Sequence, residues 1–115
     1  MELKKLNIEE GSIEFIGINS KTLIIELKKW NQRTINIIIN DYTKLIDFNS
    51  IGREISELLV LENSELLRKE KEELMELDFD IEELSQLIHL QFIGLSNLPL
   101  LEVVFNKNEV EIKEN

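Results

Sequence analysis

Three runs of alternating apolar residues fill the segment from Ile13 to Asn40 and leave few choices for the first half of this chain. Ile13, Phe15 and Gly17 alternate with Glu14, Ile16 and Ile18. After Asn19-Ser20 the pattern resumes as Leu23, Ile25 and Leu27 against Thr22, Ile24, Glu26 and Lys28. Past Trp30-Asn31-Gln32-Arg33 it returns as Ile35, Ile37 and Ile39 against Thr34, Asn36, Ile38 and Asn40. A period of two with β-branched enrichment predicts three strands, and the short breaks between them predict antiparallel hairpins. Paired strands must put their apolar residues on one face, which fixes the parity of each hairpin. With a turn of about three residues at 31–33, Leu27 faces Ile37 and Ile25 faces Ile39; a similar turn near Ser20 sets Phe15 opposite Ile25 and Ile13 opposite Leu27. That face is expected to be core. The opposite face presents Ile16, Ile18, Ile24, Ile38 and Trp30 among Glu14, Glu26, Lys28 and Asn36. Two readings of it stand: cover by a helix or by the second half of the chain, or an open contact surface with Trp30 as its anchor.

Beyond Asp41, Leu45, Ile46 and Phe48 suggest a short edge strand. Leu58-Leu59-Val60-Leu61 fits a buried strand or a helical stripe, with strand the favoured reading. Asn63 or Ser64 suits a helix N-cap and Glu65 suits the positive end of the dipole. The helix formers after it carry Leu66, Leu67, Leu74, Met75 and Leu77 as an apolar stripe. The closing third returns to alternation: Ile88, Leu90 and Phe92 around His89 and Gln91, a turn at Gly94-Leu95-Ser96-Asn97, then Leu101, Val103 and Phe105. Pro99 stands at a strand start, where its missing donor does least harm. Val110 and Ile112, flanked by Glu109, Glu111 and Lys113, read as a charged edge strand. The expectation is a single α+β domain over residues 1–115, mostly antiparallel β, with a strand meander at about 13–40, a C-terminal hairpin at about 87–113 and one main acidic helix at about 64–77.

Composition narrows the chemistry. The chain has no cysteine, which excludes a disulfide scaffold, a thiolate nucleophile and Cys-ligated metal. The first ten residues hold no apolar run, so they do not read as a secretory signal. The longest uncharged stretch, 84–101, includes Ser85, Gln86, His89, Gln91, Ser96, Asn97 and Pro99, a poor membrane span. A cytoplasmic location is expected.

Charge is concentrated. Twelve of the 23 acidic residues fall between Glu54 and Glu83, opposed there by Arg68, Lys69 and Lys71, so this segment carries nine of the ten net negative charges. Such a surface attracts basic partners and repels nucleic-acid phosphates. Asp78-Phe79-Asp80-Ile81-Glu82-Glu83 has the alternating carboxylates that open a calcium loop, but the sixth position is Glu83 where glycine is needed and the twelfth is His89 where glutamate is needed. A solvated acidic turn is expected, with Asp80 capping the residues after it. His89 is the sole histidine; no Gly-x-Ser-x-Gly turn accompanies it, and it is expected at the surface or against a partner. The four glycines stand too far apart for a phosphate loop. Carboxylate pairs such as Glu72/Glu76 and Glu82/Glu83 are expected by chance in so acidic a stretch. No catalytic, cofactor-binding or metal-ligating residue is assigned, and no cofactor is implied.

These features favour a non-catalytic protein-binding module whose contact residues are Glu65, Glu72, Glu73, Glu76, Asp78, Asp80, Glu82 and Glu83, together with Trp30 and Ile38. The partner is then another protein, basic if the acidic surface is used, with no role for nucleic acid or membrane. The alternatives are a homo-oligomeric or structural domain, such as a homodimer using the Trp30 face, and an acidic decoy that imitates nucleic acid. In overall organisation the chain resembles the small acidic immunity proteins that bacteria encode beside their toxins. The resemblance rests on a strand meander, an acidic stretch (Glu54-Ile55-Ser56-Glu57-Leu58, Ser64-Glu65-Leu66-Leu67) and a closing hairpin around His89-Leu90-Gln91-Phe92 and Leu101-Glu102-Val103-Val104. It implies stoichiometric inhibition of a toxin, often a basic nuclease, without catalysis, and it assigns no individual residue a role.

Overall fold

A computed structural model describes residue 3 and residues 6–114. The strands β1 (Ser12–Asn19), β2 (Thr22–Lys28) and β3 (Thr34–Asn40) form the expected antiparallel meander, and β8 (Val110–Glu114) joins the far edge of β3. A second antiparallel sheet has the order β4-β7-β6-β5, built from β4 (Lys44–Asp47), β5 (Glu57–Leu61), β6 (Leu87–Ile93) and β7 (Pro99–Asn106). The two sheets pack face to face. Leu23, Ile25, Leu27, Ile35, Ile37 and Ile39 from the first meet Ile88, Leu90, Phe92, Leu101, Val103 and Phe105 from the second, all at most 3% exposed. Burying that many large aliphatic and aromatic side chains, at roughly 1.5–3 kcal/mol each, is the main force holding the sandwich together.

The chain crosses between sheets twice, from β3 to β4 and from β7 to β8. The expected closing hairpin is therefore divided: β6 pairs with β7, while β8 leaves for the other sheet. Both β4 and β8 are edge strands, short and charged, and Leu58–Leu61 is strand, as expected. Between β4 and β5 the segment 50–56 runs over the end of β1, where Gly52 N–H donates to Ile13 O and Ile55 N–H donates to Gly11 O. A Cβ on Gly11 would stand 2.5 Å from the Lys28 carbonyl oxygen at the end of β2, so the entry to β1 needs glycine.

Register differs from expectation in two places. The β2–β3 pairing is Leu27 with Ile35 and Ile25 with Ile37, two residues from the expected alignment, because the turn spans Lys29 to Arg33 and is closed by Lys29 N–H on Arg33 O. A slip of two keeps every side chain on its face, so the core is unchanged. In β1, Ile13 pairs with Leu27 as expected, but an irregularity between Ile13 and Phe15 moves Phe15 opposite Glu26 and Ile16 opposite Ile25. One extra residue reverses parity downstream. Ile16 consequently packs on the core, Ile18 shares the parity of Leu23 at the sheet edge, and Phe15 turns outward, where its ring lies over Gly17.

Neither of the α-helices, α1 (Glu65–Glu76) and α2 (Ile81–Leu84), covers the outer face of this first sheet; both pack on the other sheet. Of the residues expected there, Ile24 and Ile38 remain, paired with each other and half-buried. Phe15 joins them at 51% exposed. Trp30 lies beyond the end of β2 in the turn, 60% exposed.

Candidate functional site

Beyond β5, the acidic segment folds as a third layer on the outer face of the second sheet. Helix α1 (Glu65–Glu76) starts at Ser64, whose backbone is extended and whose side-chain Oγ accepts Leu67 N–H, closing one of the donors a helix start leaves open. A second, four-residue helix α2 (Ile81–Leu84) starts at Asp80, whose carboxylate accepts Glu82 N–H, the capping role expected of it. Leu67, Leu84, Leu87 and Val104 form a small apolar cluster between this layer and the sheet, flanked by Leu66 and Leu74. The expected stripe is thereby narrowed: Met75 and Leu77 are 53% and 69% exposed. Positions 67, 70, 71 and 74 follow one helical face, and that face alone meets the sheet. Glu70, 6% exposed, takes an inward position on it.

Beneath the start of α1 lies a polar chain. Ser64 Oγ is 2.8 Å from His89 Nδ1, His89 Nε2 is 2.7 Å from Glu102 Oε1, and Gln91 Nε2 donates to the same oxygen at 2.9 Å. His89 is 3% exposed, so the expected surface histidine is instead buried under the helix. Pairing of β6 with β7 puts His89 and Gln91 on the Glu102 face, and α1 seals that face. A ring protonated at Nε2 satisfies every group: Ser64 donates to Nδ1 while accepting Leu67 N–H, and Nε2–H donates to Glu102. A serine, a histidine and a carboxylate in line invite comparison with a hydrolase relay. There, Nε2 takes the serine proton and Nδ1–H meets the carboxylate. Here the nitrogens are reversed and the serine oxygen is already engaged as a helix cap, so the chain works as a latch between helix and sheet.

The surface above differs from the latch. Every predicted acidic contact residue, Glu65, Glu72, Glu73, Glu76, Asp78, Asp80, Glu82 and Glu83, is exposed. The first two are engaged within α1, Arg68 bridging to Glu72 at 2.9 Å and Lys69 to Glu65 at 3.4 Å. Glu73, Glu76, Asp78, Asp80, Glu82 and Glu83 make no ion pair among the described residues. Trp30 and Ile38 belong to the first sheet and its turn, so the structure does not bring them together with the helical carboxylates. No group of three or more His, Asp or Glu among the described residues is arranged to hold a metal ion, the Asp78–Glu83 carboxylates included. No protein-family model, curated protein or solved structure matches the chain.

The acidic layer is electrostatically polarised. The last turn of α1 contains no basic residue. Glu73, Glu76 and Asp78 crowd the negative end of the helix dipole, where a carboxylate costs about 0.3–1 kcal/mol at low salt. Sequence patterning missed one further feature: Met75, Leu77, Phe79 and Ile81 alternate with Glu76, Asp78, Asp80 and Glu82, and all four apolar members are exposed, from 42% to 70%. The alternation is visible in the sequence, but only the fold shows that neither set is consumed by packing.

Proposed function

We propose that this protein is a non-catalytic binding module that captures a basic protein through the end of α1, α2 and the turn joining them. The observation that carries the reading is the set of carboxylates at the C-terminal end of α1 that make no ion pair among the described residues. They oppose the local electrostatics of the helix, and a local rule broken without an internal compensation marks a functional surface. Immunity-type neutralisation of a basic toxin is one form of this activity and fits a module that binds stoichiometrically. The test is capture of the partner from the native cell, followed by titration of the purified pair. A one-to-one complex weakened at least about tenfold between low and physiological salt supports the proposal; a complex insensitive to salt removes it.

Self-association through the outer face of the first sheet is a second reading, favoured by the open row of Phe15, Ile24 and Ile38. It is separable by sedimentation, because the Ile38→Lys variant would then shift a concentration-dependent dimer to monomer without touching the acidic layer.

A further inference from the structure

Where the helical layer overhangs one end of the sandwich, a groove of about 640 Å³ opens between α1, α2 and the loops that end β1, β3 and β7. Its apolar wall comes from Leu74, Phe79, Leu84 and Leu87. Its rim holds three carboxylates, Asp41, Glu83 and Glu109, against a single cation, Lys21. We propose that this groove receives an apolar side chain of the basic partner, flanked in the partner's sequence by lysine or arginine. The inference rests on the acidic-surface reading above and adds to it the site where the partner is anchored.

Three properties of the groove select that occupant. Its volume lies in the range of sites that enclose a ligand or a pair of side chains, while Phe79, 42% exposed, offers an aromatic face at the mouth. A few anchor residues packed into pockets, aromatic ones prominent among them, carry much of the binding energy in protein interfaces, and charged rims set orientation and encounter rate. The charge of the rim then discriminates among occupants. An anionic lipid surface or a nucleic acid would meet carboxylates, and a second copy of this chain would bring another ten net negative charges. A cationic flank meets complementary charge at Glu83 and Glu109, and the alkyl stem of Lys or Arg can lie along the apolar wall with its head at the rim.

Two synthetic helical peptides of equal positive charge test this, one of lysine and leucine, the other of lysine and glutamine. Titrated into the wild-type protein, the lysine–leucine peptide is expected to bind about tenfold tighter or better, the worth of one well-buried apolar anchor. It should shift the amide resonances of Tyr42, Phe79 and Leu87. Phe79→Ser should reduce the ratio between the peptides to near unity, while Leu95→Ser, which removes a more exposed apolar side chain just past the opposite end of β6, should leave it intact. Equal binding of both peptides to wild type, with Phe79→Ser indistinguishable, overturns the groove and leaves the acidic-surface reading standing. Failure of both peptides to bind contradicts the two together.

Discussion

Asp78 holds φ at 64°, in the left-handed region where a side chain costs about 1–2 kcal/mol and glycine costs little. The reason for the conformation is local. Phe79 N–H donates to Leu74 O and Asp78 N–H donates to Met75 O, the paired bonds of a Schellman ending, which requires a left-handed residue at this position. Helices usually place glycine there. This chain places a carboxylate, adding an unfavourable charge at the negative end of the dipole to an unfavourable backbone. Asp78→Gly is therefore expected to raise stability by about 1 kcal/mol, read as a higher urea midpoint at unchanged slope; a lower midpoint would mean that the Asp78 side chain makes a stabilising contact. Little of this was legible from residues alone. Asp80 announced itself as a cap, and Ser64 as one of two candidates beside Asn63, because the residue type and the helix start coincide. Asp78 did not, because an acidic residue is a poor signal for a helix end.

At the scale of elements, the alternation of β2 and β3 was legible because branched aliphatics repeat with period two, and the core follows from that parity even though the register is displaced by two. Strand β1 was legible as a strand, but its facing beyond Ile13 was not, because an irregularity of one residue leaves no trace in an alternating pattern that is apolar at nearly every position. Helix α1 was legible in extent and misjudged in orientation, since Met75 and Leu77 look like core until the partner sheet is known. His89 shows the same limit. Its burial depends on the hairpin placing it beside Glu102 and on the helix above. The latch it forms joins the cap of α1 to the middle of β6 and β7. Removing its ring strands the Glu102 carboxylate, whose side chain is 12% exposed, with Gln91 as its remaining partner among the described residues. His89→Ala is expected to cost about 2–3 kcal/mol and to speed hydrogen exchange across α1 more than across β2 and β3. Uniform acceleration through both sheets would instead make the latch part of the global core.

Across the whole molecule, charge and hydrophobicity are separated by layer. The sandwich between the sheets is closed by aliphatic packing, and nine of the ten net negative charges belong to the segment 54–83, most of it in the helical layer on one outer face. A fold held by its sheets can tolerate a helix whose end is electrostatically unfavourable, and under the proposed function that tolerance is what keeps the carboxylates available to a partner. Two properties of one variant should therefore move in opposite directions. In Glu73→Gln/Glu76→Gln/Asp78→Asn the fold and the left-handed ending are kept, because asparagine accepts that backbone. Thermal unfolding at low salt should shift upward by several degrees, corresponding to about 1–2 kcal/mol. Affinity for the captured basic partner, measured at the same salt on the same preparation, should fall by about tenfold or more. An unfolding temperature that drops, or an affinity that does not change, would contradict the assignment of this surface.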